Sequence, residues 1–588
     1  MKPSNEHRRR MRRAAPVIAL AGVAFLVGAV VGSGHGGSPQ LGLAERFAHA
    51  WTQDNYASMY EDIDAAAQRR IPASTFANDY QAAARTATET SLTVVGSAHQ
   101  GAHGVISVPM RIGTRIWGTL EESLLMSVQD EPGGERVIWS HSLVFPGLLR
   151  GESLSRRMTL PPRATLLARG GSVLADGPAT AAGTRNSPLG AAAAGVVGEV
   201  GPVPSARVDE LEALGVPAEA IVGTSGLELA LDGQLRGTPG GQLLAGERVL
   251  ASVAPKPSPA VHTTISPTLQ RVAAEALGGQ LGGVVAMDPA NGEILAVAGL
   301  GIDDLQPPGS TFKMVTVTAA LEAKVASLES VFPYATSATL DGVKLENANG
   351  EDCGGSLALA FAVSCNSVFA PLGVKVGADR LVATAERFGF NHSPGLPGAV
   401  ESTLPPASQI QGELDLGSTS IGQGQVQASA LQMARIAATV GDGGRRPTPT
   451  FEALPSTPVR VMSAATARTV RRLMIGVVRE GTGTAAAIPG VVVAGKTGTA
   501  ELGVPACPSK SEHGSEGGES QTSGENEKEA GEDCSSGSDD PQNTDAWFAA
   551  FAPAIHPRIA VGVLLVKDGA GGETAAPLAK QVLEAGLR

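Results

Sequence analysis

Six basic residues, Lys2, Arg8, Arg9, Arg10, Arg12 and Arg13, precede an uncharged apolar run of 18 residues from Ala14 to Val31. That length reaches the lower edge of what a helix needs to cross a bilayer. No other stretch of the sequence is as long and as apolar. Beyond it, Leu43, Phe47, Ala50 and Trp51 recur at helical spacing, and Tyr56, Met59 and Tyr60 continue on a second turn or helix. After about residue 90 the pattern becomes alternation, in Val105–Met110, Arg115–Leu120 and Val137–Trp139, which predicts antiparallel strands. Helices followed by a curved sheet predict a small α+β domain over residues 38–150. Over residues 151–257 Gly, Ala and Pro break the chain into short apolar segments, and Pro255-Lys256-Pro257-Ser258-Pro259 predicts a stiff, extended link. Farther on, Gly283–Met287 and Glu293–Val297 flank Asp288-Pro289-Ala290-Asn291-Gly292, a hairpin signal. Trp547–Phe551 and Ile559–Val566 read as two more strands, and Pro577–Ala585 as a closing helix with Pro where its missing N–H costs nothing. Strands from both ends of residues 258–588, with helices between, predict a mixed α/β sandwich.

A chain of 588 residues has room for about three to five domains. Its apolar share of 43% is ample for cores, and an aromatic share of 4% means those cores are built mainly of Ala, Val and Leu. The net charge of −12 is local: ten acidic residues against Lys510 and Lys528, between Ser509 and Asp540, carry eight of those charges. The near balance elsewhere argues against nucleic-acid binding. Residues 501–543, rich in Ser, Gly and Glu, are too polar to bury a core and are predicted to be a disordered, solvated insertion, with shading of a neighbouring cleft as the other reading. At the N-terminus, charge places residues 1–13 in the cytoplasm, 14–33 as a transmembrane anchor and the remainder outside the cell. The competing reading, a cleaved signal peptide, lacks a clear Ala-x-Ala site after the run.

The chemistry gathers at Pro307-Pro308-Gly309-Ser310-Thr311-Phe312-Lys313. A helix starting here puts Ser310 and Lys313 on one face. The serine then sits at the positive helix end, where an anionic oxygen is favoured and a protonated amine is not. That is a route to a nucleophilic serine with a lysine base. Ser-x-x-Lys alone is weak, but Lys313 is the only lysine with a serine three residues before it. Two further unique motifs follow in order, Ser364-Cys365-Asn366 and Lys496-Thr497-Gly498-Thr499. Taken singly, the first reads as a capped helix terminus and the second as a strand end. The ordered trio is the signature of penicillin-binding proteins and class A β-lactamases.

The sequence thus resembles a class B penicillin-binding protein. Ile421-Gly422-Gln423-Gly424 and the residues to Gly444 resemble the family's stretch between its second and third motifs, and Trp139–Glu152 resembles the end of an NTF2-like extension. Gly223–Glu228 with Asp232–Gly237 resembles the family's linker and pedestal. The resemblance implies a multidomain α+β chain: an NTF2-like domain over 38–150, a linker and dimerisation-type pedestal over 151–257, and a transpeptidase domain over 258–588, an antiparallel sheet flanked by helices. It implies a serine-type D-Ala-D-Ala transpeptidase acting on peptidoglycan stem peptides, with β-lactams as covalent inhibitors. Ser310 would attack, Lys313 would accept its proton, Ser364 would relay it and Asn366 would hold the substrate's peptide group. Lys496 and Thr497 would bind the terminal carboxylate, Gly498 would let an extended peptide lie along its strand, and the N–H groups of Ser310 and Thr499 would form an oxyanion hole. No metal or cofactor is implied; cell-wall synthase or divisome proteins are the expected partners. Hydrolysis, as a carboxypeptidase or β-lactamase, and a non-enzymatic β-lactam receptor or scaffold are the other readings. The trio does not separate these; the anchor and the extra domains favour a tethered cell-wall enzyme. Of four cysteines, the local pairings Cys353–Cys365 and Cys507–Cys534 are expected, with a free Cys365 thiol as the other reading.

Overall fold

The computed structural model describes residues 38–180, 182–501 and 543–588. The N-terminal basic segment and apolar run, nearly all of the acidic insertion, and Cys507 with Cys534 lie outside them. Among the described residues no helix is long and apolar enough to cross a membrane. The chain divides into two compact units, one within Met1–Leu160, Arg207–Pro217 and Pro239–Lys256, the other within Pro161–Ala206, Ala218–Thr238 and Pro257–Arg588.

In the first unit, helices α1 (Pro39–Trp51), α2 (Tyr56–Asp62), α3 (Ala65–Arg70) and α4 (Ala73–Ala87) precede strands β1 (Glu89–Val94), β2 (Ile106–Thr114), β3 (Gly118–Glu131) and β4 (Gly134–Ile138). The strands form an antiparallel sheet in the order β1-β2-β3-β4. Period-two alternation sends Ile106, Val108, Met110 and Ile112 inward against Phe47, Trp51, Phe76 and Tyr80. Asp64 ties the two layers together: one carboxylate oxygen accepts from the N–H of Ala67, capping α3, and the other accepts from the N–H of Trp139, both at 2.9 Å. One expectation is corrected. Arg115–Trp117 is the turn between β2 and β3 rather than the start of a strand, because the Thr114 hydroxyl accepts from the N–H of Trp117 and donates to the carbonyl of Gly118, closing the loop.

The second unit is built on α5 (Pro267–Leu277), β5 (Gly282–Met287), β6 (Ile294–Gly299), α6 (Lys313–Glu322), α7 (Leu357–Ala362), α8 (Asn366–Val376), α9 (Ala430–Gly441), α10 (Ala464–Glu480), β7 (Ala494–Glu501), β8 (Thr544–Ala552), β9 (Ile559–Leu565) and α11 (Ala575–Leu587). The five strands run antiparallel in the order β6-β5-β9-β8-β7, so strands from both ends of the segment share one sheet. β5, β8 and β9 are buried along their whole length, which explains their continuous apolar runs. One face, with Ala286, Phe548 and Val563, packs on α5 and α11. The other, with Val285, Trp547 and Leu564, packs on α9, which is buried on every side. β7 closes the row as an edge strand, paired on one side only among the described residues.

The part of this unit that precedes residue 238 carries a buried ion-pair network. Arg163 donates to Glu228 at 2.6 Å and to Asp232 at 2.8 Å, Arg185 donates to Glu228 at 2.7 Å, and Arg236 donates to Asp232 at 2.5 Å. All five side chains are at most 7% exposed. Each carboxylate is therefore answered by guanidinium groups, which is the condition under which charge survives burial.

Candidate active site

Ser310 lies in a 3-10 turn, Gly309–Phe312, that runs directly into α6. Gly309 has a φ of +50°, and a side chain there would place its first carbon 2.5 Å from the carbonyl oxygen of Thr499. Only glycine allows the turn to lie flat against β7. That contact sets the serine beside the third motif.

Lys313 is the first residue of α6 and is wholly buried. Its amine lies 2.9 Å from Ser310 Oγ, 2.6 Å from Asn366 Oδ1, 2.6 Å from the Ser364 carbonyl and 3.3 Å from Ser364 Oγ. Lys496, on β7 and equally buried, donates to Ser364 Oγ at 2.8 Å and to its neighbour's carbonyl, that of Thr497, at 2.9 Å. The Ser364 hydroxyl thus sits between two amines. Among the described residues neither lysine has a carboxylate within ion-pairing distance. Instead each faces an aromatic ring, Lys313 over Phe369 and Lys496 over Phe361, both 5.7 Å from the centroid.

Burial without a counter-charge disfavours the ammonium form. It holds Lys313 well below the usual lysine range, and the charge of Lys496 pushes in the same direction. Desolvation brings Lys496 down to about 7. The two amines are therefore both pushed toward the neutral form, Lys313 by burial and by the charge of Lys496, and Lys496 by burial alone, which leaves it poised between its two forms near neutral pH. A position at the positive end of α6 adds to the pressure against charge on Lys313.

Ser364, in the break between α7 and α8, has a φ of +64°. A left-handed conformation at a non-glycine residue costs on the order of 1–3 kcal/mol and needs the surroundings to enforce it. It aims the carbonyl and hydroxyl of one residue at the same amine.

All eight residues singled out from the sequence, Ser310, Lys313, Ser364, Asn366, Lys496, Thr497, Gly498 and Thr499, belong to these three converging segments, and the structure adds a packing or anchoring task at two of them. A side chain at Gly498 would meet the Pro308 carbonyl at 2.8 Å and Trp547 at 2.9 Å, so its bareness serves packing against the Ser310 turn. Asn366 is engaged at both ends of its amide, accepting from Lys313 and donating to the Glu346 carbonyl at 2.9 Å, so it anchors the lysine. Residues without a motif also contribute: Phe361, Phe369, Glu346 through its carbonyl, and Thr482, whose hydroxyl is 2.6 Å from that of Thr497.

Three family descriptions match in succession: an NTF2-like N-terminal transpeptidase domain over residues 41–152, a penicillin-binding protein dimerisation domain over 178–248, and a penicillin-binding protein transpeptidase domain over 282–517. The peptidoglycan D,D-transpeptidase PbpA of Mycobacterium tuberculosis is 33% identical over 396 residues, covering 56% of this chain and 72% of that protein. Its namesake from Mycolicibacterium smegmatis is 33% identical over 435 residues, covering 62% and 80%. The crystal structure of the M. tuberculosis PBPA is similar in fold, with a TM-score of 0.54 at 28% identity over 73% of this chain and 98–99% of that one, and the same protein has been solved as an imipenem acyl-enzyme. A serine within hydrogen-bond reach of a buried lysine, a second buried lysine and a left-handed second serine, together with these matches, place the chain among the class B penicillin-binding proteins, to which it belongs.

Proposed function

We propose that this chain is a serine D,D-transpeptidase that cross-links peptidoglycan stem peptides. The observation that carries the reading is a buried amine, held below its usual pKa, 2.9 Å from a serine hydroxyl beside a strand that lies at the sheet edge among the described residues. Neutral Lys313 takes the proton as Ser310 Oγ attacks the carbonyl of the penultimate D-Ala. The N–H groups of Ser310 and Thr499 serve as donors to the developing oxyanion, each worth on the order of a hundredfold in rate; what supports this is the close approach of the Gly309 turn to Thr499. The proton passes through Ser364 to the departing D-Ala amine as the tetrahedral intermediate collapses to the ester. An amine from a neighbouring stem then attacks the ester, its proton follows the reverse path, and Ser310 is restored. Lys496, in its charged form, and Thr497 take the substrate's terminal carboxylate, and the free edge of β7 pairs with its backbone.

A β-lactam presents the same carbonyl and carboxylate, so it acylates Ser310 and stays. Labelling of the full chain with a fluorescent penicillin tests this. Durable label on the wild type and none on Ser310→Ala is the expected result, whereas rapid release of the label overturns transfer in favour of hydrolysis. The same reading places the catalytic unit outside the cell, held by the apolar run 14–31. What supports it is the basic flank of that run and the disulfide between Cys353 and Cys365, since such bonds persist in oxidising compartments. Protease accessibility of the unit in spheroplasts checks it; protection overturns it.

A further inference from the structure

The second motif needs more than its own sequence to hold its shape. Ser364 occupies a left-handed backbone conformation, and the geometry at Lys313 depends on it, because both the carbonyl and the hydroxyl of Ser364 face that amine. The residue that follows is Cys365, the N-cap of α8, and it is disulfide-bonded to Cys353, 12 residues earlier. Cys353 begins the strand Cys353–Ser356, which pairs with Val331–Ala335. The bridge therefore ties the centre of the motif to a strand pair outside the helical core that carries Ser310.

Hydrogen bonds from the same segment reinforce the tie. Asn347 accepts from the N–H of Ser367 at 2.7 Å and donates to the carbonyls of Ala335 and Glu351 at 2.7 and 2.8 Å. The Ser367 hydroxyl donates to the Ala335 carbonyl at 3.1 Å, and Asn366 donates to that of Glu346. Residues 335–356 thus form a strap across the start of α8. The bridge is its only covalent member among the described residues, and both sulfur-bearing residues are buried.

We propose that the Cys353–Cys365 disulfide, with Asn347, is a positioning device for acyl transfer, holding Ser364 and Asn366 in register with Lys313 so that the reduced chain folds but acylates slowly. The inference rests on the catalytic roles assigned above. A displacement of about 1 Å in a positioned group is enough to cost on the order of a hundredfold in rate. Opening the bridge takes two electrons and two protons from a dithiol, which is itself oxidised to a disulfide, and leaves two thiols.

The test compares the full chain with its Cys353→Ala/Cys365→Ala variant, measuring the rate constant of acylation by a fluorescent penicillin per folded molecule, its pH profile, and Tm. If the variant does not fold, a dithiol is titrated onto folded protein in which Cys507 and Cys534 are alanine, with thiols counted and the circular dichroism followed. The expected result is an acylation rate lowered by tenfold or more at intact fold, with a displaced pH profile, and recovery of the rate on reoxidation where the dithiol route is used. A fall of less than tenfold, whatever the loss in Tm, overturns the proposal and leaves the bridge a structural staple. Failure of the oxidised wild type to acylate overturns the assignment of Ser310, and this proposal with it.

Discussion

Two of the places where the larger unit buries charge treat it in opposite ways. In the Arg163–Glu228–Asp232 network, guanidinium and carboxylate groups meet at 2.5 to 2.8 Å, and each acid is matched from two sides. At the Ser310 site, two lysines are buried as deeply with hydroxyl, carbonyl and ring partners but no acid. The first arrangement satisfies charge and fixes where chain segments lie. The second withholds the counter-ion, so desolvation acts on the amines themselves and makes one of them a base. Pairing gives geometry; its absence gives reactivity.

Substitutions can separate these two uses of burial. Replacing Lys313 by Ala removes the base, and acylation by a penicillin is expected to fall by about 10²–10⁴-fold. Because a desolvated amine is lost with it, the Tm is expected to stay level or rise, and a Tm that falls with activity would contradict the assignment. Replacing Glu228 by Ala strands Arg163 and Arg185, and is expected to cost about 3–5 kcal/mol in denaturant unfolding with acylation per folded molecule unchanged. A smaller contrast lies within the site. Lys496, at about 7, loses charge as pH rises, so the non-covalent affinity of Ser310→Ala for a penicillin carboxylate is expected to weaken above neutrality. The limit is about tenfold per pH unit, and calorimetry from pH 6 to 9 checks it; a flat profile removes Lys496 from carboxylate binding. The smallest effect belongs to an exposed pair, Arg111–Glu121, 52% and 67% exposed, whose coupling in a double-mutant cycle is expected below about 1 kcal/mol.

The site was largely legible in the sequence because its chemistry permits few residue types, and Ser310–Lys313, Ser364–Asn366 and Lys496–Thr499 each occur once. Their partners were not. Phe361, Phe369 and Thr482 act through distance and orientation, and nothing in their neighbours marks them. The ion-pair network was hidden because Arg163, Arg185, Glu228, Asp232 and Arg236 are spread over short elements in a Gly- and Ala-rich stretch, where periodicity carries little signal. The packing task of Gly498 is hidden for a related reason: which side of a bare strand position is crowded depends on the Pro308 turn folding over it. The Arg115–Trp117 turn escapes the alternation pattern because it is set by Thr114, whose hydroxyl bonds to Trp117 and Gly118, and not by apolar periodicity.

The protonation state of Lys313 is the most direct test of the unpaired-amine account. Carbon-13 labelling at lysine Cε, with the Lys313 signal assigned by its loss in Lys313→Arg, reports that state as a function of pH. The account predicts a neutral amine at pH 7. A signal still protonated at pH 9 would contradict it.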